Sequence, residues 1–257
     1  MASSTARDDL PTVGAIALVA MCLVTFNHEG LGHGGACLAL GGQVQLLTSS
    51  LFHCGRTSPL IDMAGPAANL LLGAAALVAS AAVAPRRAGL RLFLILAAAF
   101  SLFWEGGYLV QAMLIREGDS YFAARDLLGE AGWWRAALGA AGVAIYGGTL
   151  AATSRGLSGL WPDPARARRV ARTAWLAATA GAALAALLYR GPEAARNLHD
   201  TLTEVGLASI PLLLIPRGRG MAGADGPARI AFDPAALSLA ACVFALFAAT
   251  QGRGLGG

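Results

Sequence analysis

The segment His28-Glu29-Gly30-Leu31-Gly32-His33 sets a carboxylate between two imidazoles and holds half of the chain's 4 histidines. It lies within an apolar stretch from Val13 to Leu40. A central charge at membrane depth costs roughly 2.5 kcal/mol or more, so ionisable groups persist there where they bind or react. Neutral imidazoles bind zinc through nitrogen, and an adjacent carboxylate can take a proton from water on such an ion. The usual helical arrangement is H-E-x-x-H, whose histidines stand four apart and about 40° apart around the axis. Here the spacing is five, which an ideal α-helix turns into about 140°. One π-bulge would absorb the extra residue and return His33 beneath His28. Gly30 and Gly32 make that deformation inexpensive. In the alternative arrangement Glu29 and His33, four apart, form the facing pair and Glu29 is itself a ligand.

The elements that hold this segment belong to a membrane protein. The chain is 56% hydrophobic and 13% charged, with a mean hydropathy of +0.59, outside the range of soluble domains. A helical span needs about 20 mostly apolar residues, and candidates recur at 12–40, 60–84, 90–114, 133–153, 173–189, 198–216 and 231–249. The expected fold is therefore an all-α polytopic membrane protein with six to seven transmembrane helices. A short β segment at Gln43 to Thr48, where polar and apolar residues alternate, follows the first helix. The chain reads as a single integral membrane domain over 1–257, and its 33 glycines suit helices that pack closely in lipid. No fixed-period repeat is visible, which weakens a transporter built from inverted repeats. Four scattered cysteines, Cys22, Cys37, Cys54 and Cys242, form no CxxC pair, so neither a zinc knuckle nor a disulfide framework is expected. Met1 to Pro11 and the apolar run after it lack a small-residue cleavage site, so no removed signal peptide is expected.

All 19 basic residues are arginine, and they fall between the spans. With seven spans, one side holds Arg7, Arg86, Arg87, Arg91, Arg155, Arg166, Arg168, Arg169, Arg172, Arg217, Arg219 and Arg229. The other holds Arg56, Arg116, Arg125, Arg135, Arg190, Arg196 and Arg253. The richer side is expected in the cytoplasm. A net charge of +4 distributed this way points to the lipid bilayer and not to nucleic acid. The expected location is a plasma membrane, the inner membrane of a bacterium.

Asn27 to His33, followed by Leu38-Ala39-Leu40-Gly41-Gly42, resembles the metal-binding helix and glycine turn of site-2 protease-type intramembrane zinc metalloproteases. Ala64-Gly65-Pro66-Ala67-Ala68-Asn69 to Gly73 resembles that family's second core helix. The likeness covers about the first third of the chain. It implies a core over about 12–132 that binds Zn2+ within the membrane and cleaves peptide bonds in or near transmembrane segments of other proteins. Further helices over 133–257 would be additions. It also implies a site nearer the cytoplasm, whereas the arginine bias puts the motif nearer the opposite face.

The family's third ligand is an aspartate after a later core helix, in an Asn-Pro and Asp-Gly context that this chain lacks. Asp119, in Glu117-Gly118-Asp119-Ser120, is the expected substitute, ahead of the alternative metal ligands His199, Asp200 and His53. In the seven-span arrangement all of these reach one face. Asp62 could orient a histidine by accepting from its second nitrogen. Asn69 is either a helix–helix hydrogen bond or, as the resemblance suggests, a substrate-positioning residue. Glu105 is paired inside the bundle or faces a wet cavity.

The expected chemistry is metal-assisted hydrolysis, with Glu29 as general base and His28, His33 and Asp119 as metal ligands. Two other functions fit the same residues. One is a cation or proton transporter using His28, Glu29 and His33, and the other is a catalytically inactive family member that scaffolds membrane partners.

Overall fold

The computed structural model describes residues 8–84, 86–130, 132–214 and 228–256. Arg7, Arg217, Arg219 and most of the connection from Pro216 to Ala228 lie outside them, as does the segment preceding Asp8. Asp9 starts the first helix by accepting from the Thr12 N–H at 2.9 Å, with Pro11 in the first turn. This is an N-cap with proline where no N–H is needed. The helix then runs unbroken as α1 (Leu10–Thr25), a π-helical segment (Phe26–Gly34) and α2 (Gly35–Ala39). Gly41, at a φ of 76°, makes the left-handed turn that reverses the chain. A hairpin follows, β1 (Val44–Leu47) against β2 (Phe52–Cys54), antiparallel with Val44 opposite Cys54. The expected short strand is therefore present and has a partner.

Ser58 caps α3 (Pro59–Ala82), and α4 (Ala88–Ile115) returns beside it. Arg116 at φ 62° and Gly118 at φ 98° break α4 and aim the chain into α5 (Asp119–Leu128). Beyond lie α6 (Trp133–Leu160), α7 (Pro164–Ala186) and α8 (Ala194–Thr201). α8 continues as a π segment (Leu202–Leu207) and a 3-10 turn (Ile210–Leu213), before α9 (Pro234–Ala249). The core is built on α4, whose Leu92, Leu96, Phe103 and Trp104 are buried with Met21 and Leu157. In its most apolar window α4 is 72% buried, against 17% for α6, which turns Val143 and Leu150 outward. Apolar side chains exposed along long helices are what lipid would cover.

Among the described residues four helices are long and apolar enough to cross a membrane: Leu10–Ala39, Pro59–Ala82, Ala88–Ile115 and Trp133–Leu160. The first four expected spans are thus found, while the count of six or seven is not reached by length and apolarity. The span expected at 173–189 lies in α7, which begins at Pro164 and carries Arg166, Arg168, Arg169 and Arg172 in its first turns. The span expected at 198–216 breaks into short pieces around Gly206 and Pro211, and its last two residues lie outside the described ones. The last, α9, has 16 residues, about 24 Å at 1.5 Å per residue.

Contacts gather the connections onto two faces. On one, Arg166 donates to Asp8 Oδ1 and to the Ala228 carbonyl, both at 2.8 Å, and the Ile230 N–H donates to Asp8 at 2.9 Å. On the other, Leu47 bridges Leu255, and Thr48 Oγ1 donates to Asn197 at 2.7 Å. The Gln251 amide also donates there, to the Thr48 carbonyl at 3.1 Å.

The Asp8 pair fixes where the first helix begins. Burial pushes its carboxyl up, but Arg166 and the Ile230 N–H outweigh burial and hold it below its ordinary value. A depressed carboxyl stabilises the fold above its unfolded pKa and loses that contribution as pH falls through the folded one. Replacing Asp8 by Asn is expected to lower stability at pH 7 by roughly 1.5–3 kcal/mol, as for hydrogen bonds to charged groups. Thermal unfolding in detergent should also show the variant less acid-sensitive than the native chain below about pH 4.

Candidate metal centre

The π-helical segment determines where the two histidines point. Bonds between residues five apart, such as Gly35 N–H to the Gly30 carbonyl, place His33 one turn above His28 on the same side. The expected repair of the five-residue spacing is thus present, spread over nine residues instead of one bulge at Gly30–Gly32. The glycines serve close packing. A Cβ on Gly32 would lie 2.6 Å from Gly65 Cα, and one on Gly30 2.7 Å from the Phe26 ring.

His28 Nε2 and His33 Nε2 lie 3.2 Å apart. Asp119 Oδ2 lies 3.4 Å from His33 Nε2 and 3.9 Å from His28 Nε2. Ligand atoms of these three residues all fall within 4.8 Å of one another, the sole such grouping of His, Cys, Asp and Glu among the described residues. Asp119, placed first for the third ligand, is therefore the residue that closes the triangle. Gly118 brings it there, and Tyr108 holds it, its hydroxyl 3.3 Å from Asp119 Oδ2 and 3.1 Å from the Asp119 N–H. Burial pushes the Asp119 carboxyl up, but the His28 and His33 rings, when protonated in the absence of a metal, outweigh it and hold the group below the usual carboxylate range. It is an anion ready to bind a cation.

The remaining imidazole nitrogens fix the tautomers. His33 Nδ1 lies 2.7 Å from the Ile61 carbonyl, which can only accept, so Nδ1 carries the proton and Nε2 of the neutral ring presents a lone pair. His28 Nδ1 lies 2.9 Å from Glu105 Oε1 in the same sense. Asn69 donates to that oxygen at 3.1 Å and accepts from Asn27 at 2.9 Å. Trp104 stacks on the His28 ring at 4.4 Å and Phe52 on the His33 ring at 5.5 Å. Two imidazole lone pairs 3.2 Å apart repel unless a cation lies between them. Tetrahedral zinc with bonds of about 2.0–2.1 Å would set its ligand atoms roughly 3.3 Å apart. The donor set and spacing fit that ion.

Glu29 is buried at 3% exposure and shares with His33, Asp62, Tyr108 and Asp119 the wall of a cavity of about 420 Å³. It is not in the ligand triangle, so the alternative of Glu29 as a ligand gives way to the two-histidine pair. A second, apolar cavity of about 490 Å³ adjoins, lined by Trp104, Val143, Tyr146 and Leu207, and the two share Tyr108 and Glu204.

Several expected roles move. The acceptor for His33 is the Ile61 carbonyl and not Asp62, which lies on the cavity wall. Asn69 is wholly buried and ties helices through Glu105, away from the cavity wall. His53 pairs with Glu193 at 3.3 Å on the hairpin, and His199 is 74% exposed beside Asp200. These three stand at the cavity rim and do not join the triangle. Glu105, left open between two roles, is the partner that aims His28. Its position one helical turn from Ser101, inside an apolar helix, was the available signal.

Two cysteines correct the sequence reading. Cys37 and Cys54 form a disulfide, because the Gly41–Gly42 turn folds β2 back over the end of α2. A Cβ on Gly42 would lie 2.8 Å from the Cys37 sulfur, so glycine is required under the bond. Cys22 and Cys242 are free. Thr48 and Ser49 are buried by hydrogen bonds to Asn197 and Thr201, and Ser50 and His53 line the cavity.

The geometry rests on this chain alone, since no family model, curated protein or solved structure matches it.

Proposed function

We propose that this chain is an integral membrane zinc hydrolase that cleaves peptide bonds in or near transmembrane segments of other proteins. The observation that carries the reading is the convergence of His28 Nε2, His33 Nε2 and Asp119 Oδ2 at a cavity whose wall Glu29 shares, with both Nδ1 atoms tied down. His28, His33 and Asp119 would hold the ion at the cavity wall. A zinc ion held there would supply Lewis acidity, which makes a water more acidic and polarises a carbonyl. Glu29 would accept a proton from the attacking water and return it to the leaving amine. Glu105 and the Ile61 carbonyl keep the imidazoles in the metal-binding tautomer and stabilise their orientation. Tyr108 keeps Asp119 in place.

An apolar cavity opening beside a polar one suits a polypeptide with an apolar flank and a bond presented to water. Likeness of the Asn27–Gly42 and Ala64–Gly73 segments to site-2 protease-type enzymes supports the same reaction. Six to seven crossings and a bacterial inner (plasma) membrane complete the proposal, supported by contacts that alternate between two faces and by arginines placed between apolar segments.

Metal content tests the centre directly. Purified native protein is expected to hold about one zinc per chain, and His28→Ala none after the same dialysis, because two remaining ligands bind weakly. Native protein that holds no zinc when loaded from solution ends the metal reading.

A further inference from the structure

We propose that the metal cavity opens on the oxidising, non-cytoplasmic side of the membrane. The bonds it reaches then belong to membrane proteins at the extracytoplasmic ends of their spans. The substrate half of this statement rests on the hydrolase reading above, and the orientation does not.

Three independent observations coincide. The Cys37–Cys54 bond joins the end of the first helix to the hairpin, and disulfides persist in oxidising compartments while cytoplasmic thiols are kept reduced. The hairpin face also holds the cavity: Ser50, His53, Asp119, Arg196 and Asp200 all line it. His33 stands six residues before Ala39, about 9 Å along the axis, so the ligands are near this end of the bundle. The opposite face carries the clustered arginines. Arg166 meets Asp8 and Ala228 there, and the Arg91 guanidinium approaches Gly159. Arg168, Arg169 and Arg172 follow in the opening turns of α7. With seven crossings counted, nine arginines among the described residues fall on this side and seven on the other, the direction of bias of a cytoplasmic face. The disulfide and the charge bias depend on different physics and give the same orientation, opposite to the cytoplasmic site that the resemblance to site-2 protease-type enzymes implies. The segment ending at Leu255 lies outside with the hairpin, because Leu255 bonds Leu47.

Reporters appended to the C-terminus of the full chain read the orientation. Alkaline phosphatase, which folds only where disulfides form, should be active there, and a fluorescent protein that fails after export should be dark. A native chain in isolated membranes, denatured and treated with a thiol-reactive polyethylene glycol, should gain two adducts, at Cys22 and Cys242, and four after reduction. Inactive phosphatase with a bright fluorescent fusion, or four adducts without reductant, overturns the orientation. Both readouts are blind to zinc and to cleavage, so this proposal and the hydrolase reading fail separately. In lipid vesicles, products from single-span substrates should map by mass spectrometry to the hairpin side of the span. Cuts confined to the opposite end overturn the substrate half.

Discussion

Glu29→Gln is expected to retain zinc at the native level and to lower peptide-bond cleavage by about 10²–10⁴-fold, the usual contribution of a general base. Glutamine keeps the size and polarity of a residue that is 3% exposed on the cavity wall, so packing and metal ligation should survive. What disappears is a group able to take a proton at neutral pH. The assay is reconstitution in lipid with single-span substrates, scored for cleavage with and without a chelator. The native chain should cleave, the chelated chain should not, and Glu29→Gln should resemble the chelated chain while holding metal. Cleavage that survives both treatments ends the metalloprotease reading. Zinc-bound native protein without cleavage favours the scaffold instead, and ion or proton flux without cleavage favours the transporter.

The His28–Glu29–His33 segment was legible in sequence because ionisable groups in an apolar run have few structural reasons to be there. Even the helical irregularity could be foreseen, since five-residue spacing and a shared ion are incompatible with a regular α-helix. Asp119 was legible for a different reason. It follows the third apolar helix on the face where the motif ends, and Gly118 permits the turn that brings it inward. The Ile61 carbonyl was not legible, because every residue carries a carbonyl and only the crossing of α3 with the π segment selects this one. The Cys37–Cys54 bond was equally hidden: its partners are 17 residues apart and meet through a glycine turn and a hairpin whose register no local pattern specifies. Spans are less legible where hydropathy and helical continuity separate, and four of the six or seven expected meet both criteria among the described residues. The window 198–216 is apolar, yet a π segment, Gly206 and Pro211 divide it into pieces.

Gly65→Ala should weaken zinc binding by about 10²-fold or more while leaving a folded, helical protein. The substitution is favourable by local propensity, since alanine exceeds glycine by about 0.8–1.0 kcal/mol in a helix interior. Its cost is specific to the site. A Cβ at position 65 would lie 2.7 Å from His28 Nε2 and 2.6 Å from His33 Cδ2, in the space toward which both lone pairs point. Neither ring can retreat, because Trp104 and Phe52 stack behind them and their Nδ1 atoms are bonded. The close approach of the two helix backbones depends instead on Gly32, whose own Cβ would meet the Gly65 backbone, a contact of the kind that brings membrane helices together. Gly73→Ala supplies the control on the same helix: its Cβ would meet the Leu102 side chain at 2.6 Å, far from the ligands. It should lower the unfolding temperature and keep zinc. The two variants, compared by circular dichroism and by titration with zinc against a competing chelator, separate helix packing from metal binding. Native-like affinity in Gly65→Ala would mean that the two Nε2 atoms do not share an ion, and the two-histidine centre would fall with it.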